Sequence, residues 1–220
     1  MKGVEDMDKK EALEFLKLMQ NNDILNLDYK EKIRQVIQFI DIFVQEKTSI
    51  PINEDVCIIR NNRFKKGKDY NIYTDGGCDF NPGGKGAYGI VIDDGSDKIE
   101  LSQGYKATTN NRMELLGPIV ALESIPEGSN VKLYSDSTYF CDSINKKWID
   151  GWIKSNWKNM KIKNIDLWQR FLEAYNKHHV EIIWVKGHAG NSNNERCDKL
   201  ATAAYNKKKS ELLEDDGYII

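Results

Sequence analysis

Between residues 69 and 208 three strand-like stretches follow one another directly, and strands and helices alternate after them; few folds accommodate that order. Residues 70–74, 87–92 and about 98–105 read as strands of a meander, the first two joined by a Gly-rich connection. Helical spacing of apolar residues covers 110–124, an apolar strand follows at 131–135, and 137–145 is helical again. The pattern closes with an amphipathic helix over 165–178, a strand over 180–185 and a helix over 193–208. Strands joined directly pair antiparallel, whereas a strand reached through a helix adds in parallel. The expected fold is therefore α/β, a mixed five-stranded sheet of three antiparallel strands plus parallel strands, flanked by helices.

Residues 1–60 have a different character: 8–20 and 28–46 carry apolar side chains at helical spacing, and Pro51 ends that pattern. They read as a small helical N-terminal appendage; a partner-docking or dimerising element is the competing reading, and no protein partner is specified. A basic linker, 61–68, separates it from the main domain, 69–208, and residues 209–220 form a short acidic tail with an apolar end. No apolar run approaches the roughly 20 residues of a membrane helix. The acidic start, Met1-Lys2-Gly3-Val4-Glu5-Asp6, lacks the apolar core of a signal peptide, so a cytoplasmic protein without membrane attachment is expected. Cys57, Cys78, Cys141 and Cys197 are too widely spaced for a zinc site or a disulfide scaffold and read as reduced thiols. A net charge of −2 means that any binding to a polyanion must rest on local clusters.

Four acids stand out by position. Asp75 ends the apolar run Asn71-Ile72-Tyr73-Thr74 and precedes Gly76-Gly77; alone, Asp-Gly is an ordinary hairpin signal. Glu114 follows Asn111 by three residues, which has the form of a capping box, and Asp136 sits where a strand gives way to a helix, a common capping position. Asp198 falls in the early turns of the last helix, where a negative charge suits the helix dipole. As a set they say more. Asp75 and Asp136 lie at the carboxyl ends of strands, where open α/β sheets place their sites, and Glu114 and Asp198 come from helices able to cover the same region. Carboxylates clustered together repel one another unless a cation neutralises them, and oxygen donors alone favour magnesium or manganese over zinc.

Thr74-Asp75-Gly76, Asn110-Asn111-Arg112-Met113-Glu114, Ser135-Asp136-Ser137, Trp184-Val185-Lys186-Gly187-His188-Ala189-Gly190 and Asn194-Glu195-Arg196-Cys197-Asp198 together resemble the motif series of type 1 ribonuclease H, in order, over about residues 69–208. The resemblance implies a ribonuclease H-like fold and an endonuclease that cuts the RNA strand of RNA–DNA hybrids, leaving 5′-phosphate and 3′-hydroxyl ends. It implies two Mg2+ ions per site, with Mn2+ a possible substitute, one ion helping to form the attacking hydroxide and the other stabilising the leaving oxygen. The positions matching the family's metal ligands are Asp75, Glu114, Asp136 and Asp198. His188, otherwise a surface loop residue, would relay a proton or assist product release.

By the same resemblance Gly76, Gly77, Asn81, Asn110 and Asn111 would approach the sugars and bases of the hybrid's wide minor groove, with Thr109 and Arg112 near backbone phosphates. Turn and cap chemistry is the plainer role for several of these and is compatible with binding. Thr138 stands where many relatives carry Gln. Residues 146–163 hold six lysines against one acid and resemble the family's basic protrusion, so Lys147, Trp148, Trp152, Lys154 and Lys158 are candidate substrate contacts. The lysines are expected to face outward, with both tryptophans anchoring the segment. Two other readings compete: a different nuclease of the same superfold, resolvase-like in substrate, and a non-catalytic hybrid-binding protein.

Overall fold

The structure is a computed structural model that describes Phe64, residues 67–158 and residues 161–218. The helical appendage and most of the basic linker expected from the sequence lie outside the described residues. Within them the element order is β1 (Asp69–Cys78), β2 (Gly86–Asp93), β3 (Lys98–Tyr105), α1 (Asn110–Ser124), β4 (Asn130–Ser135), α2 (Thr138–Asn145), α3 (Trp148–Lys154), α4 (Ile165–Tyr175), β5 (His179–Trp184) and α5 (Ser192–Tyr205). A 3-10 turn, Lys209–Glu211, follows. The strands form one sheet in the order β3-β2-β1-β4-β5. β1 pairs antiparallel with β2 and β2 with β3, while β4 runs parallel to β1 and β5 parallel to β4. The expected mixed five-stranded sheet is the one observed.

Strand parity separates two packing surfaces, because successive side chains point to opposite faces. On one face α1 lies over β1 and β2, where Gly117 meets Thr74 and Tyr88. Ile72, Ile90, Met113, Leu116, Ile119 and Phe140 are fully buried in the domain's core. Trp168 and Phe171 of α4 extend this core: Phe171 meets Phe140 edge to face at 5.2 Å, and each such buried aromatic contributes about 2–3 kcal/mol. On the other face the neighbours of α5 are small. Ala87 packs against Ala201 and Ala204 of α5, and a side chain at Gly89 would run into the Cys197 carbonyl, so α5 lies directly on the sheet.

The C-terminal segment is integrated into the domain. Leu213 bridges to Tyr105, Leu212 is buried, and the Asp215 carboxylate reaches the start of α1.

Candidate active site

The register of two parallel strands sets the first pair of acids. Thr74 of β1 pairs with Ser135 of β4, the last pair of that ladder, so the next residues, Asp75 and Asp136, stand side by side where the two strands part. Asp75 is not a turn residue, since β1 continues through it to Cys78 and it lies opposite Gly89 of β2. That pairing matters for the third acid. Because Gly89 lets α5 sit close against β2 at Cys197, Asp198 is carried to the neighbourhood of Asp75. Gly76 does the same for the fourth: a Cβ there would overlap the backbone of Met113 and Glu114, so only glycine lets α1 cross β1 at this point.

The capping roles open to these acids are filled by other residues. Thr109 caps α1, its hydroxyl accepting from the Arg112 N–H at 3.3 Å. The Glu114 carboxylate instead accepts from Asn110 Nδ2 at 2.8 Å and from Ser137 Oγ at 2.7 Å. Ser137, not Asp136, caps α2 through the Phe140 N–H at 3.1 Å. Asn191 caps α5, leaving Asp198 in that helix's second turn.

Their electrostatics follow. The Asp75 carboxyl is pushed up to about 7, by burial first and then by Asp136, with Asp198 and Glu114 adding to the rise against the Gly76 N–H that lowers it. Glu114 is raised by burial and Asp136, partly offset by the Ser137 hydrogen bond. Repulsion of this kind marks a place where positive charge is welcome. Among the described residues no three His, Cys, Asp or Glu side chains stand in a finished coordination shell. The four acids are electrostatic neighbours, and their hard, anionic oxygens fit a hard divalent cation.

Three further side chains hold this group, and the motif reading had not singled them out as site residues. Ser137 fixes Glu114, as above. Asn194 of α5, 3% exposed, donates from Nδ2 to Asp136 Oδ2 at 3.1 Å. Trp184, at the end of β5, donates from Nε1 to the Asp136 carbonyl at 3.1 Å. Asn194 was legible in principle, because it precedes Asp198 by one helical turn and so shares its face.

The RNase H family model matches residues 67–206. The chain is 52% identical over 141 residues to a ribonuclease H of Lachnoclostridium phytofermentans, covering 60% of this chain and 89% of that one. It is 50% identical over 157 residues to a ribonuclease H of Trichodesmium erythraeum, covering 70% and 98%. The chain belongs to the RNase H family. Among solved structures it is similar to LC9-RNase H1, described as a type 1 RNase H with the type 2 active-site motif, at TM-score 0.58 and 30% identity, covering 68% of this chain and 79% of that one.

On this RNase H domain the remaining candidate residues occupy distinct places. Asn81 lies on the β1–β2 loop, and its Oδ1 accepts from the Asn110 N–H at 3.1 Å, joining the loop to the first residue of α1. Asn111, next to Asn110 on α1, and Thr138, the first residue of α2, are exposed, while Gly77 is open, with nothing within 4 Å of the Cβ position. His188 is exposed on the β5–α5 loop in a left-handed conformation, φ 53°, sparsely populated by non-glycine residues.

Arg112 stands differently from the expectation of a phosphate contact. Its side chain is buried, 2% exposed, and both edges of the guanidinium are taken by protein carboxylates. NH1 and NH2 donate to Asp166 at 3.0 and 2.6 Å, and Nε and NH2 to Asp215 at 2.7 and 2.8 Å. Four of its five N–H donors are spent on these two carboxylates and the group is buried, so Arg112 acts here as a structural clamp and not as a phosphate contact.

The basic segment forms the short helix α3 and its flanks, with Lys147, Lys154 and Lys158 exposed. Trp152 turns inward, edge to face with Trp168 at 5.4 Å. Trp148 does not: it is half-exposed, with Lys146 Nζ over its ring at 5.5 Å. One tryptophan therefore anchors the protrusion while the other faces solvent, because α3 buries only the stripe that includes Ile149 and Trp152.

Proposed function

We infer that this chain is a ribonuclease H, an endonuclease that hydrolyses the RNA strand of RNA–DNA hybrids. The observation that carries the reading is the in-register placement of Asp75 and Asp136 just past the last β1–β4 pair, with Glu114 and Asp198 brought alongside by α1 and α5. In the reaction a water oxygen bonds to phosphorus, the bond from phosphorus to the 3′-oxygen breaks, and that oxygen takes a proton, giving 5′-phosphate and 3′-hydroxyl ends. Asp75, Glu114, Asp136 and Asp198 would hold two Mg2+ ions, with Mn2+ a substitute, which supply charge neutralisation at the phosphate and activation of the attacking water. Ser137 and Asn194 hold Glu114 and Asp136 in place for that task. His188, exposed on its loop, would relay a proton between the site and solvent or assist product release.

Substrate selection rests on short polar groups and close backbone. Asn81, Asn110, Asn111, Thr138 and Gly77 suit a shallow minor groove that displays 2′-hydroxyls, with Thr109 at its edge, whereas the close approach expected of Gly76 is taken up by α1. Lys147, Lys154 and Lys158, with Trp148 beside them, suit the backbone of the second strand. Among the described residues no helix is long and apolar enough to cross a membrane, and Cys78, Cys141 and Cys197 are free thiols, which suits the cytoplasm proposed here. The 69–208 domain is proposed as the catalytic unit, with 1–60 an appendage whose partner, if any, is unassigned.

The test is incubation of labelled hybrid, double-stranded DNA and single-stranded RNA with the full chain and Mg2+, using wild type and Asp75→Asn. Cleavage confined to the RNA strand of the hybrid and absent from the variant is expected. Equal cutting of double-stranded DNA would favour a resolvase-like enzyme, and hybrid binding without cleavage a non-catalytic protein.

A further inference from the structure

Four large hydrophobic side chains are exposed among the described residues: Phe80, Trp148, Ile153 and Trp184. Single exposed apolar residues are common on protein surfaces and by themselves call for no explanation. Trp148 and Ile153 lie on α3 within the basic segment, and Trp184 touches the backbone of Asp136. Phe80, the most exposed at 72%, sits on the β1–β2 loop immediately before Asn81.

That loop is not a slack connection in which an aromatic happens to dangle. The Gly84 N–H donates to the Phe80 carbonyl at 2.6 Å, and Cys78 Sγ donates to the same carbonyl at 3.0 Å. The Asp79 N–H closes the loop on the Lys85 carbonyl at 2.8 Å. Two bonds fasten it to the segment leading into α1, from the Gly83 N–H to the Thr108 carbonyl at 2.8 Å and from the Thr108 N–H to the Gly84 carbonyl at 3.0 Å. Asn81 then braces Asn110, whose own amide holds Glu114. The backbone of Phe80 is thus fixed within a short hydrogen-bonded chain of a proposed metal ligand, while its ring makes almost no contact with the protein.

Because the loop backbone is already fastened, covering the ring costs only the freedom of its own two side-chain torsions, and the apolar area it buries offsets that cost. Resting on the functional reading above, we propose that Phe80 is a substrate-binding residue, packing its ring on a sugar face in the minor groove of the hybrid next to the Asn81 contact. The polar groups around it recognise hydroxyls and base edges; Phe80 adds an apolar contact that the asparagines cannot make. This contact is insensitive to base sequence, because every nucleotide presents a sugar.

The experiment measures steady-state cleavage of a short labelled hybrid by the full chain with Mg2+, for wild type, Phe80→Ala and Phe80→Tyr, across a range of salt concentrations. For Phe80→Ala we expect KM to rise about tenfold with kcat within about twofold, the pattern of lost uniform binding. The melting temperature should stay at the wild-type value, because the ring supports nothing inside the fold. The slope of log affinity against log salt should also be unchanged, in contrast to a lysine substitution on α3, which lowers it by about one. Phe80→Tyr should restore the wild-type KM. A KM for Phe80→Ala within about twofold of wild type, or a loss that Phe80→Tyr does not restore, overturns the proposal. If wild type cleaves no hybrid at all, it is the ribonuclease reading that fails, so the two failures are distinct.

Discussion

Asp75 is the residue whose chemistry is most altered by its surroundings. Its folded-state pKa, about 7, lies above the ordinary carboxyl value of 3.8, so the native state holds the proton more tightly than the unfolded chain. Stability is therefore lost as pH rises from about 4 through about 7, and the loss is complete above that window. Asp75→Asn removes it. In chelator at pH 8 the variant should be more stable than wild type by up to about 4 kcal/mol in urea denaturation, and near pH 4 the two should coincide. Equal stability at pH 8 would show that the acids do not repel as described. Adding Mg2+ at pH 8 should stabilise wild type more than the variant, as expected of a ligand that binds only the folded charge cluster. Asn194 makes a second case: Asn194→Ala frees Asp136 Oδ2 and should lower kcat about tenfold while leaving the hybrid-binding constant near wild type. A tenfold change in binding with unchanged kcat would move Asn194 from the acids to the substrate surface.

Elements reach the site because small residues let them cross closely. α5 lies on β2 at Gly89, and a methyl group there meets the Cys197 carbonyl, which is backbone and gives way only if the helix shifts. Gly89→Ala should cost about 1–3 kcal/mol in denaturant melts. It should also depress cleavage beyond what the remaining folded fraction explains, since Asp198 rides on the displaced helix. Full activity at reduced stability would mean that the placement of α5 is less exacting than this. Much at this scale was readable from residue order. The strands, the helices and the meander followed from periodicity and glycine-rich turns, and α1 begins and ends where its pattern does. The short helix α3 left only a faint imprint, because seven residues with Gly151 at their centre span barely two turns and carry too little periodicity to fix its bounds.

Across the whole molecule, the segment after α5 is tied to the start of α1 by a buried ion pair. Asp215 accepts from Arg112 and from the Thr108 hydroxyl, and Asp166 of α4 takes the other edge of the same guanidinium. Three remote stretches of chain are thereby fixed next to Asn110, Asn111 and Glu114. Asp215→Asn preserves shape but removes the charge opposite a buried cation, and it should destabilise the domain by about 2–3 kcal/mol by urea denaturation. A change under about 0.5 kcal/mol would mean that Asp166 alone satisfies Arg112. The acidic tail that composition marks as a separate piece thus includes a structural carboxylate. Nothing in the local sequence announces it, since its partner lies about a hundred residues away.

Residue order was enough to yield the α/β class, the mixed sheet and the family, and to single out the four acids as candidates, because each leaves a local imprint: a period, a turn, or a motif of a few neighbouring residues. What required the assembled chain was every property that depends on distant groups meeting. These include the capping assignments that free Glu114 and Asp136, the amide and indole that hold Asp136, the inward turn of Arg112, and the outward ring of Phe80. Packing and electrostatics act through space and not along the backbone, so a residue's role in them depends on neighbours that sequence proximity does not supply.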